Sequence, residues 1–125
     1  MITGTVTAGR EAVVALQVRA LGGKPELVHA VLDTGFTDFL ALPHGLIAQL
    51  GLPFRGSAVF GLADGSEARL SAYRAIVEWH GRPRPVTVLG IRAGAVIGMA
   101  LLQGSLVTLK VVTDGPVRIE PISSA

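Results

Sequence analysis

The sequence predicts a mostly β chain of many short strands, with one or two short helices. Three observations carry that reading. Half of the 125 residues are hydrophobic, and Val, Leu, Ile and Ala supply most of them, with few aromatics. The 16 Gly and 7 Pro place a turn signal roughly every ten residues. Between those signals the apolar runs are short, and several alternate with a period of two, as half-buried strands do. The length fits about one domain, spanning residues 1–125. A closed or partly open barrel, or sheet on sheet, satisfies such a pattern.

The elements follow in order. Met1 to Val6 reads as a first strand. Val13 to Arg19 alternates, with Val14, Leu16 and Val18 on one face. Gly22-Gly23-Lys24-Pro25 is a turn. Leu27 to Leu32 and Phe39 to Leu42 are apolar strands on either side of a polar loop. Pro43 to Gly51 reads as a short helix, with Pro in the first turn and Gly at the stop. Ser57 to Leu62 and Ala68 to Tyr73 flank Asp64-Gly65, a hairpin signal. Ala75 to Trp79 is a further strand, turned at His80-Gly81-Arg82-Pro83 into Pro85 to Ile91. Ala95 to Ile97 is a short apolar strand ending at Gly98. Met99 to Gln103 is a helical turn or two, closed by Gly104. Leu106 to Val112 and Val117 to Ile122 form a last hairpin around Asp114-Gly115.

Composition excludes several function classes. With no cysteine there is no disulfide, thiolate nucleophile or Cys-based zinc site. His29, His44 and His80 lack metal-ligand spacing, and no phosphate loop or nucleophile elbow occurs. No metal and no cofactor are expected. The net charge is only +2 despite a pI near 9.7, and the nearest thing to a basic patch is Arg82-Pro83-Arg84, without aromatic platforms. Nucleic acid is therefore not an expected partner. No apolar run approaches the ~18 residues of a membrane span, and the first residues lack the features of a signal peptide. The expectation is a soluble, cytoplasmic protein.

One residue stands out chemically. Asp33 directly ends an apolar strand, and Gly35 allows an immediate turn. A carboxylate at the mouth of a core is costly unless it is hydrogen-bonded or paired. Of the other aspartates, Asp64 and Asp114 precede Gly in hairpin turns, and Asp38 lies among polar neighbours. The five glutamates lie on polar faces or beside turns.

Ala30-Val31-Leu32-Asp33-Thr34-Gly35, followed about sixty residues later by Val96-Ile97-Gly98-Met99-Ala100-Leu101-Leu102, resembles the paired signature of retropepsin-like aspartic proteases. The likeness is closest to small bacterial and archaeal single-domain members. It implies the retropepsin-like acid protease fold, with Asp33, Thr34 and Gly35 as the catalytic loop and Ile97 and Gly98 packed beneath it. It also implies a flap tip at Leu62-Ala63-Asp64-Gly65-Ser66 that closes over a peptide or unfolded protein segment, with Phe36 in the cleft. Such enzymes use two carboxylates sharing one proton. One Asp-Thr-Gly per chain then implies a homodimer about a two-fold axis, with Thr34 hydrogen-bonding across it. Retroviral relatives pair their chain termini, so Met1 to Val6 and Val117 to Ile122 are the implied interface. Phe36, where Ala or Ser is common, and the charged Asp64 motivate an alternative: a catalytically silent, peptide-binding dimer of the same fold.

Overall fold

The computed structural model describes residues 1–61 and 64–123. These form ten strands and two short helices. They are β1 (Ile2–Val6), β2 (Ala12–Arg19), β3 (Glu26–Leu32), β4 (Leu40–Pro43), α1 (His44–Leu50), β5 (Phe54–Gly61), β6 (Glu67–Trp79), β7 (Arg82–Ile91), β8 (Val96–Ile97), α2 (Met99–Leu102), β9 (Ser105–Leu109) and β10 (Pro116–Pro121). No helix among them is long and apolar enough to cross a membrane.

Six strands close a barrel in the order β2-β3-β8-β4-β7-β6. The ring shuts where β2 meets β6 again, Val18 opposite Val77 and Arg19 opposite Ile76. Val18, Ala30, Leu40, Val77, Val88 and Ile97, one from each barrel strand, are fully buried. Burying a Val or Leu is worth roughly 1.5–3 kcal/mol, against roughly 0.5–1.5 kcal/mol net for a hydrogen bond. Side-chain burial therefore decides which face of each strand turns inward. In β2 that face is Val14, Leu16 and Val18, as the alternation predicts.

Outside the barrel, β1 lies between β2 and β10, and β9 is the last strand beyond β10. Both terminal strands, β1 and β10, thus have neighbours on each side. At the other end of the sheet β5, among the described residues, pairs only with β6.

Several boundaries differ from those the sequence predicts. β5 begins at Phe54 rather than Ser57, and Pro43 ends β4 in an extended conformation rather than opening the helix. Three further differences have a clear physical reason. Ala68 to Tyr73 and Ala75 to Trp79 are one strand, β6. Its buried face changes midway. Leu70 and Ala72 face one apolar cluster, whereas Ala75, Val77 and Trp79 face the barrel core. The shift in phase mimics a strand end, but the backbone continues. The following turn is only His80-Gly81, both with positive φ (52° and 78°), as a two-residue hairpin turn demands. Pro83 and Pro85 therefore lie inside β7. They sit on a stretch where β6 is the only ladder neighbour, since β4 joins from Val88. Finally, β9 stops at Leu109. From Lys110 the chain folds into a tight turn, with Val112 N–H donating to Lys110 O (2.9 Å) and Gly115 N–H to Val112 O (2.8 Å).

Candidate active site

β3 delivers Asp33 to the end of the barrel. It runs parallel to β8, and the Asp33 amide donates to Ile97 O at 2.9 Å. The chain then turns at once. Phe36 N–H donates to Asp33 O (3.1 Å), and Gly35 N–H donates to Asp33 Oδ1 (2.8 Å). The carboxylate is thus held by its own loop through one oxygen, while Oδ2 accepts no hydrogen bond among the described residues. Asp33, Thr34 and Gly35 are all exposed in the single chain.

The loop rests on the segment that follows β8. Gly98 N–H donates to Phe39 O (3.0 Å), Met99 N–H to Phe36 O (2.8 Å) and Ala100 N–H to Asp38 O (3.2 Å). These are amides that a helix start leaves without partners, so the loop's carbonyls and the start of α2 satisfy each other. A Cβ on Gly98 would lie 2.6 Å from Phe36 Cδ2 and 2.8 Å from Phe36 O, besides striking the Asp38 carbonyl. Only glycine fits there. Asp38 uses Oδ1 to accept the Phe39 amide at 2.8 Å, so it serves the loop's own geometry.

The residues named from the sequence divide into two groups. Asp33, Gly35, Phe36, Ile97 and Gly98 come together in direct contact. Phe36 is half-buried, and its side chain joins the cluster of Ala41, Ala72 and Leu89, which Ala58, Phe60 and Leu70 of the β5–β6 hairpin also cover. Asp64, Gly65 and Ser66 lie at the exposed tip of that hairpin. Beyond the Ala72–Leu89 pair, β6 has only β5 beside it, so the hairpin projects past the barrel. Leu62 and Ala63 lie outside the described residues. At the tip, Asp64 Oδ1 accepts the Ser66 hydroxyl (2.5 Å) and the Ser66 amide (2.9 Å). These bonds, the hydroxyl's first, hold the Asp64 carboxyl below the ordinary carboxylate range.

Sequence reasoning missed two parts of the site. One is a groove of about 870 Å³ beside the loop, lined by Asp33 and Thr34 together with Met99, Val107, Leu109 and Val111. Its walls come from three separate parts of the chain, so no local pattern reveals it. The other is Arg84 of β7. Its guanidinium sits 5.5 Å from the centre of the Phe39 ring, and Nη1 donates to Leu101 O at 3.3 Å. It ties β7 to the end of the acid loop and to α2. Among the described residues no three His, Cys, Asp or Glu side chains gather as a metal would require.

No family model matches the sequence, and no curated protein matches it either. Solved structures do. The protease of EIAV, complexed with the inhibitor HBY-793, superposes with a TM-score of 0.59 at 16% identity, covering 77% of this chain and 88% of that one. A retropepsin-like aspartic protease from Rickettsia conorii superposes with a TM-score of 0.58 at 16% identity, covering 94% of this chain and 88% of its own. With its closed barrel, its projecting hairpin and the acid loop seated on Ile97-Gly98, this chain has the fold of the retropepsin-like aspartic proteases.

Proposed function

We propose that the protein is an aspartic endopeptidase, active as a homodimer in which the two Asp33 side chains form the catalytic dyad. One observation carries this reading. Asp33 is presented at the end of a barrel strand, with one oxygen fixed by Gly35 N–H and the other without a partner among the described residues. A single carboxylate so placed lacks the second acid the reaction needs. A second copy, related by a two-fold axis, supplies it.

The chemistry follows from the pair. Two carboxylates about 3 Å apart cannot both ionise, so they share one proton. The ionised member takes a proton from water, whose oxygen attacks the scissile carbonyl carbon. The protonated member gives its proton to the carbonyl oxygen. Collapse of the tetrahedral species breaks the C–N bond as the amine takes up a proton, and the dyad is left with one proton as before. Thr34, exposed beside Asp33, hydrogen-bonds across the axis and holds the two loops. The substrate is a peptide or unfolded protein segment. It lies extended under the hairpin tip at Asp64, Gly65 and Ser66, pairing by its backbone, with Phe36 on the cleft wall. The reading needs no cofactor, metal or nucleic acid, and the absence of cysteine suits a cytoplasmic place of action.

The test is cleavage of a diverse peptide pool, read by mass spectrometry from acid to neutral pH, for wild type and Asp33→Asn. Cleavage by wild type alone is the expected result. Cleavage that survives Asp33→Asn sinks the proposal. Peptide binding without turnover in both proteins favours instead a silent, peptide-binding dimer, the reading that Phe36 and the charged Asp64 motivate.

A further inference from the structure

We infer that the two copies join along β9, whose outer edge continues the sheet into the partner. The inference rests on the dimeric reading above and names its contact surface. Among the described residues β9 has a single ladder neighbour, β10. Lys110 N–H donates to Pro116 O and Ile122 N–H to Gly104 O, which fixes the phase of that ladder. With Thr108 opposite Arg118 and Leu106 opposite Glu120, the amides and carbonyls that turn away from β10 are those of Ser105, Val107 and Leu109.

Open edges are normally blunted by charges or bulges, because unpaired strands invite pairing. The other open edge, β5, carries Arg55 and a register break between Phe54 and Gly56. β9, Ser105-Leu106-Val107-Thr108-Leu109, has neither a charge nor a proline. The side chains of Val107, Leu109 and Val111 line the same groove as Asp33, Thr34 and Met99. Leu109, Met99 and Val111 are 42%, 45% and 65% exposed in the single chain.

The occupant is a second copy, because the groove's own lining includes the acid that needs a twin. A two-fold axis normal to the sheet pairs β9 antiparallel with itself. Centred on Val107, it pairs Ser105 with Leu109 of the other copy and satisfies every outward group on both strands. It also leaves both grooves, and both Asp33 loops, on the same side of the joined sheet. The contact is thus an internal strand, not the termini that pair in retroviral relatives. Here β1 and β10 already have neighbours on both sides.

Sedimentation velocity on the full chain, Asp33→Asn and Leu109→Pro tests this. Leu109→Pro deletes an amide that faces away from β10 and spares the ladder within the chain. Wild type and Asp33→Asn should run at twice the chain mass of 12.9 kDa, and Leu109→Pro at 12.9 kDa with an unchanged circular dichroism spectrum. A cross-link keeps the test sound should Leu109→Pro unfold. The chain has no cysteine, so Val107→Cys introduces the only thiol. Hydrogen-bonded antiparallel partners lie about 5.5 Å apart at Cα, within disulfide reach. Oxidation should give a covalent dimer with Val107→Cys and none with Thr3→Cys on β1. A dimer that survives Leu109→Pro, a cross-link through Thr3→Cys alone, or a monomeric wild type overturns the inference. Mass and cross-linking require no turnover. A β9-dependent dimer that cleaves nothing therefore refutes only the peptidase reading, and full cleavage by folded Leu109→Pro refutes only this one.

Discussion

Gly98 and Phe36 are locked together from both sides. The Phe36 carbonyl accepts the amide of the residue after Gly98, and the Phe36 ring fills the space where a Gly98 side chain would stand. The floor of the site and its loop are therefore one packed unit. Gly98→Ala should destabilise the fold by about 1–3 kcal/mol, the usual range for overpacking. Equilibrium denaturant unfolding measures it. An unchanged midpoint would show that the loop yields freely.

Asp33→Asn should remove cleavage and leave the fold intact. Asn can still accept the Gly35 amide through Oδ1, so the turn persists, but it cannot take or give the shared proton. Loss of positioned acid–base chemistry costs typically 10²–10⁴-fold in rate. kcat/KM on the best substrate of the pool should fall at least that far, with the unfolding midpoint within error of wild type.

His80 gives stability a pH dependence. Its Nε2 lies 2.9 Å from Ser105 Oγ, and Nδ1 is buried without a partner among the described residues. Burial holds the imidazole below its ordinary pKa, with the N-terminal amine and Arg84 adding to the effect. The unfolded chain then binds a proton more readily than the folded one. Stability contributed by neutral His80 is complete above the unfolded value of about 6.5 and declines as pH falls below it toward the folded value. In His80→Asn, whose residue type tolerates positive φ, that part of the acid-side loss should vanish. Unfolding curves between pH 5 and 8 check it, and parallel declines in both proteins would contradict it.

Arg84 should couple energetically to Phe39. A cation over an exposed or part-buried ring is worth about 0.5–1 kcal/mol. The double-mutant cycle of Arg84→Met and Phe39→Leu should return a coupling of that size. Strict additivity would reduce their contact to proximity.

Ser66→Ala should raise the pKa of Asp64 toward the ordinary carboxylate value, because the Ser66 hydroxyl's bond is the largest of the effects that depress it. Carboxyl NMR titration reads this directly. In wild type the hairpin tip then keeps its negative charge further into acid than an unassisted aspartate would. A tip carboxyl that titrates alike in both proteins would remove that role from Ser66.

Features set by neighbouring residues were legible in the sequence. The acid loop is written in Asp33 and Gly35, and the barrel face of β2 in Val14, Leu16 and Val18, whereas the place of Ile97-Gly98, some sixty residues further on, was implied only by the family resemblance. Features set by distant pairings were not. Arg84 reads as a surface charge until β7 is laid against Phe39 and Leu101. Met99, Val107 and Leu109 read only as parts of a helical turn and a hairpin strand until β9 is found at the edge of the sheet. The break expected at Arg74 arose because a change of buried face and a strand end leave the same trace in an alternating pattern.

That change of face has a consequence for how such chains can vary in length. β6 closes the barrel with one half and carries the projecting hairpin with the other. Side chains alternate along it, so removing one residue between Glu67 and Ala72 would turn the inner surface of the hairpin outward while the barrel half stayed in register. Removing two would merely shorten it. Viable insertions and deletions in this arm should come in even steps, matched on β5, and the reach of the hairpin should vary in increments of a residue pair.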